Sequence, residues 1–108
     1  AAHGCTIEVD YSREFVPVVN DAALTGHAVQ AAQMVAAPGN VNSEAAKIGG
    51  SEDFARLLAH VPGNFIMMGN GDSAALHNPS YDFNDDVLPL GVEYFATLAR
   101  QRLPVDQK

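Results

Sequence analysis

Cys5-Thr6-Ile7-Glu8-Val9-Asp10-Tyr11 alternates apolar and polar side chains at every step. Cys5, Ile7, Val9 and Tyr11 fall on one side of an extended chain, with Thr6, Glu8 and Asp10 on the other, the period of a half-buried strand. A strand needs a partner, and no second alternating stretch follows nearby, so its sheet is expected upstream. Beyond the break at Pro17 the period changes. Asn20 or Asp21 can cap a helix over residues 22–37, with Leu24, Ala28, Ala31 and Val35 on one face and Pro38-Gly39 as the stop. Residues 40–50 are polar and small and read as loop. Ser51 is placed to cap a second helix, with Glu52 and Asp53 in its first turn, Phe54, Leu57, Leu58 and Val61 as its buried stripe, and Pro62-Gly63 ending it. Residues 64–68 read as a short buried strand entering the turn Gly69-Asn70-Gly71-Asp72. A last helix is expected over residues 86–103, capped near residues 84–86 with Pro89 in its first turn. Leu88, Val92, Phe95, Ala99 and Leu103 point inward, and Pro104 is the stop. Strands mixed with helices in this order suit part of an α/β layer structure.

The sequence has 108 residues, room for one small domain, and 47% of them are apolar. The formal charge is −7, from 13 acidic and 6 basic side chains, so a phosphate backbone would be repelled and nucleic acid is not an expected partner. No apolar run reaches the roughly 20 residues of a membrane span, and no basic amphipathic helix suggests membrane attachment. The single cysteine, Cys5, rules out an intrachain disulfide and fits a reducing compartment, the cytoplasm. The sequence opens Ala1-Ala2-His3-Gly4 with neither methionine nor a signal peptide, and reads as if entered in mid-protein.

The richest cluster for chemistry is Leu76-His77-Asn78-Pro79-Ser80-Tyr81-Asp82-Phe83-Asn84-Asp85-Asp86. A neutral imidazole such as His77 is a good ligand for zinc and similar divalent metals, and a carboxylate nearby can orient it. The same residues also have ordinary roles: a loop histidine on the surface, and Asn84, Asp85 and Asp86 as cap and first-turn charges. Asp82-x-Asn84-x-Asp86 has the opening spacing of a calcium loop, with Glu93 at its twelfth position, but Val87 stands where the turn needs glycine. Gly49-Gly50-Ser51 before a helix could receive an anion, against which Glu52 and Asp53 argue. His3, His27 and His60 are scattered, and Cys5 has no activating partner.

Two stretches in order carry a resemblance. Gly50-Ser51-Glu52-Asp53-Phe54-Ala55 is followed by Val61-Pro62-Gly63-Asn64-Phe65 and Gly69-Asn70-Gly71, and then by Leu76-His77-Asn78-Pro79-Ser80-Tyr81-Asp82-Phe83-Asn84-Asp85. Together with Asp10-Tyr11 and Pro17-Val18-Val19-Asn20-Asp21, they resemble the carboxy-terminal signatures of the hippurate hydrolase and N-acyl-amino-acid amidohydrolase family, dinuclear metallopeptidase-like enzymes that include auxin-conjugate hydrolases.

That resemblance implies a carboxy-terminal piece of a longer enzyme with a three-layer α/β catalytic domain. Residues 1–14 would be the end of a lid (dimerisation) domain, its last strand, and residues 15–108 the last part of the catalytic domain. It implies two divalent metal ions, zinc or manganese, in the intact enzyme, with His77 ligating one of them. Ser51, Glu52, Gly69, Asn70 and Gly71 would lie at the substrate pocket. The remaining ligands and the general-base glutamate would come from upstream. The substrate would be a small N-acyl amino acid, the intact enzyme a homodimer, and the piece alone inactive, unstable or associated with other chains. The alternative is a non-catalytic fragment or degenerate relative with a structural or binding role.

Overall fold

A computed structural model describes residues 3–103. Its elements in chain order are α1 (Ala22–Val35), α2 (Phe54–Leu58), a 3-10 turn (Asp85–Val87) and α3 (Leu88–Arg102).

Local chemistry sets the two long helices. Asp21 keeps an extended backbone, and its Oδ1 accepts from the Leu24 N–H at 2.9 Å, satisfying one of the free donors at the start of α1. After Val35, Gly39 turns the chain away at φ +85°, a conformation glycine adopts without penalty. At α3, Asn84 Oδ1 accepts from the Asp86 N–H at 3.0 Å, Asp85 and Asp86 sit at the positive end, and Pro89 occupies the first turn where its missing N–H costs nothing. Arg100 and Arg102 complement the other end. The expected stop at Pro104 lies outside the described residues.

α1 and α3 pack against each other. The buried residues are Ala28 and Ala31 on α1 and Tyr94 and Thr97 on α3. The small side chains on α1 leave room for the larger Tyr94 on the facing side of α3. At the edge of this contact Arg102 Nη1 lies 2.9 Å from His27 Nε2. A second cluster forms where α2 meets residues 63–65. The rings of Phe54 and Phe65 are 5.5 Å apart, and a Cβ at Gly63 would come within 2.8 Å of Leu58 Cδ2. Side-chain amides staple this cluster to the start of α1. Asn20 Nδ2 donates to the Phe65 carbonyl at 2.9 Å, and Asn20 Oδ1 accepts from the Phe65 N–H at 2.8 Å. The Asp21 N–H donates to the Gly63 carbonyl at 3.0 Å, and Asn64 Nδ2 donates to Thr25 Oγ1 at 2.7 Å.

Several expectations are corrected. Among the described residues there is no strand. Residues 5–11 are extended but unpaired, with Ile7 79% and Val9 81% exposed, because the alternating pattern has no ladder to join. Residues 64–68 are likewise not a strand: Phe65 is half-buried, while Ile66, Met67 and Met68 are exposed. Ser51 does not cap α2. The helix starts at Phe54, whose N–H donates to Glu52 Oε1 at 3.1 Å, and it is too short to bury Leu57 or Val61. In α3 the expected inward stripe is the exposed one, with Val92 68% and Phe95 67% exposed. Tyr94 and Thr97, on nearly the opposite side, meet α1. The helix is apolar on two faces, and the sequence pattern alone does not say which one a given neighbour takes.

The radius of gyration is 19.6 Å, against about 13 Å for a compact chain of this size. No large side chain is fully buried among the described residues. The α1–α3 contact leaves large apolar side chains open, Met34, Val92 and Phe95 among them.

Candidate functional site

The site is built on residues 69–86. Gly71 takes φ +78°, which allows the turn after Asn70 to double back. Asn70 then spans the two ends of the following loop: its Nδ2 donates to the Asp82 carbonyl at 2.8 Å and to Ser73 Oγ at 3.0 Å, and its Oδ1 accepts from the Asn84 N–H at 2.9 Å. Within the loop, consecutive turns are closed by the Asn78 N–H to the Ala75 carbonyl at 3.1 Å and the Tyr81 N–H to the Asn78 carbonyl at 2.9 Å. Asn78 Oδ1 also accepts from the Ser80 N–H at 2.8 Å, an Asx turn leading through Pro79. His77 is the third residue of the first of these turns, residues 75–78, at φ +67°, the one non-glycine residue in left-handed backbone among the described residues. Histidine tolerates that region better than most residues, but it costs of order 1–3 kcal/mol and marks a position held by its surroundings. The His77 side chain is exposed.

Asn70, Gly71, Ser73 and Asn84, together with Asp72, Asp82, Asp85 and Asp86, line an open depression of about 330 Å³. Ser51, Glu52, Gly69 and His77 are not in its lining. Ser51 is exposed, and Glu52 is engaged at the start of α2. Among the described residues, no three His, Cys, Asp or Glu side chains converge where a metal ion could be held. The sequence reading gave Asn84 a cap role and a place in a calcium-loop spacing, not in a pocket with Asn70, and did not single out Ser73. The polar residues on either side of the Gly-Asn-Gly turn are the signal that could have pointed to both. Away from this loop, burial raises the Tyr94 phenol above its ordinary 10.0.

The chain matches peptidase family M20/M25/M40 over residues 4–101, and it belongs to that family. Over 64 residues, 56% of this chain and 15% of the relative, it is 42% identical to IAA-amino acid hydrolase ILR1-like 2 of Arabidopsis thaliana. It is 30% identical to N-acetylcysteine deacetylase of Bacillus subtilis over 92% of this chain and 25% of that protein. It is also 30% identical to N-acetyldiaminopimelate deacetylase of Oceanobacillus iheyensis over 84% of this chain and 24% of that protein. The chain therefore spans a quarter or less of the length of these relatives. No solved structure matches it significantly.

The family domain is an α/β peptidase fold, and its members generally depend on two divalent metals. The described residues bring together no cluster of His, Cys, Asp and Glu that fits a two-metal centre. No helix among them is long and apolar enough to cross a membrane.

Proposed function

We propose that the protein containing this chain hydrolyses the amide bond of N-acyl amino acids, hippurate-like substrates, and that His77 is one of its metal ligands. The observation that carries this reading is the backbone at His77: an exposed imidazole held in left-handed conformation within the turn over residues 75–78, where glycine is the usual residue, inside the stretch that matches the family. Strain of this kind persists where surrounding structure over-determines a residue, and it concentrates at functional sites. The relatives' names support the reaction class, since each denotes a hydrolase or deacetylase.

In this reading residues 1–14 end a lid domain, and residues 15–108 complete a three-layer catalytic domain. The other ligands and the general-base glutamate lie elsewhere in the protein, which works as a cytoplasmic homodimer. Zinc or manganese, when bound, supplies Lewis-acid polarisation of the amide carbonyl. This chain's part is to present the His77 imidazole and to supply the segments that lie beside the pocket, with Ser51, Glu52, Gly69, Asn70 and Gly71 on them. One metal-ligating imidazole, without the other ligands and the general base, does not make the centre this reading requires, so these 108 residues alone are expected to be inactive.

The test is hydrolysis of N-benzoylglycine and N-acetyl amino acids by the whole protein, with added manganese or zinc, comparing wild type with His77→Ala. Loss of both turnover and bound metal supports the reading. Full activity in His77→Ala removes His77 from the site. Inactivity of both proteins toward every amide favours a structural or binding role.

A further inference from the structure

Asn70 lines the depression, yet its carboxamide is already committed. Both amide hydrogens are used, one on the Asp82 carbonyl and one on Ser73 Oγ, and the oxygen accepts from the Asn84 N–H. A side chain in this state has no donor left to offer a substrate. What it does instead is close a loop. Asn70 and Asn84 are 14 positions apart, and every residue between them, His77 included, is held between these two anchors. The far anchor is itself fixed, because Asn84 Oδ1 caps the 3-10 turn leading into α3. A rigid path therefore runs from the packed α1–α3 pair through Asn84 and Asn70 to both ends of the His77 loop.

We propose that Asn70 is a positioning residue: it fixes the ends of the loop on which the turn over residues 75–78 holds His77 in its left-handed conformation, and it does not itself touch substrate. This rests on the reading of His77 as a metal ligand. The conformation of the loop and the metal affinity are separately measurable, so either claim can fail alone. Asn70→Ala removes all three bonds. Asn70→Asp keeps the acceptor for the Asn84 N–H and loses both donors.

The experiment uses the whole protein and three readouts. The first is NMR of the loop, following the strong intraresidue Hα–HN contact of a left-handed residue at His77 and amide exchange at Asn84. The second is the affinity for manganese alone. The third is KM and kcat for N-benzoylglycine at saturating metal. For Asn70→Ala we expect loss of the His77 signature, faster Asn84 exchange and unchanged α1–α3 signals. Manganese affinity should fall about ten- to hundred-fold, the range for groups that orient a ligand, and KM should be unchanged at saturating metal. Asn70→Asp should fall between Asn70→Ala and wild type. An unaltered His77 conformation in Asn70→Ala overturns the proposal, and so does a raised KM with metal affinity intact, which would mean substrate contact. If His77→Ala keeps its metal, the ligand reading fails, while the NMR readout still decides whether Asn70 holds the loop.

Discussion

Replacing Asn20 by alanine should unfasten one specific joint. The Asn20 carboxamide pairs with both backbone groups of Phe65, at 2.9 Å and 2.8 Å, across 45 positions of sequence, in the way one strand residue pairs with another. Both bonds are open to solvent, so water replaces them in part, and each belongs at the low end of the net 0.5–1.5 kcal/mol range; together they contribute about 1 kcal/mol. That corresponds to about a fivefold change in the opening equilibrium. Because the chain is extended, the effect is best read locally, by amide hydrogen exchange. In Asn20→Ala the Phe65 amide should exchange about fivefold faster, with amides in the middle of α1 unchanged. Asn20→Asp keeps the acceptor and should preserve much of the protection. An unchanged Phe65 rate in Asn20→Ala would refute the pairing. Uniform acceleration through α1 would show that the staple supports the whole layer, contrary to the reasoning.

Ala31 is fully buried against α3, with 0% exposure, so Ala31→Leu should force the helices apart at a cost of about 1–3 kcal/mol, visible as a lower urea midpoint with helix content retained at zero urea. Burial raises the Tyr94 phenol above 10.0. Below that pH both folded and unfolded phenols are neutral and nothing is gained or lost. As the pH rises past it the unfolded phenol ionises first, so stability should fall until the folded one ionises too. Thermal melts at about pH 9 and about pH 11 should diverge more for wild type than for Tyr94→Phe. His77→Gly should move stability and metal in opposite directions. Relief of the left-handed strain, offset by glycine's entropy, should leave the melt unchanged or higher by up to about 1 kcal/mol, while bound metal is lost. A clear destabilisation would argue against stored strain.

What the sequence made legible was local. Asp21 as a cap, Pro38-Gly39 as a stop and Pro89 in a first turn each act within a few residues of themselves, and each stands where its chemistry placed it. Ser51 failed as a cap because the Glu52 side chain reached the Phe54 N–H first. The strand over residues 5–11 was read from alternation and that over residues 64–68 from a short apolar run before a turn, but pairing depends on a partner that neither pattern supplies. The face of α3 was misassigned for a related reason: two apolar stripes compete, and the small surface of Ala28 and Ala31 selects the side bearing Tyr94 and Thr97. His77 was legible as a residue type in a motif. Its backbone angle and the Asn70 bonds were not: the angle belongs to the turn over residues 75–78, which has no glycine to announce it, and the bonds join positions far apart in sequence.

The conformation at residue 77 also limits what mutation can place there. Left-handed backbone admits glycine readily and asparagine, aspartate and histidine with modest penalty, while β-branched and bulky side chains are strongly disfavoured. Of the usual metal-ligating side chains, histidine and aspartate pass this filter and glutamate and cysteine do not pass it easily. A saturation library at residue 77, sorted first for folding and then for metal, would thus be narrowed twice. The backbone would trim the repertoire to a few short polar residues, and coordination chemistry would choose among them.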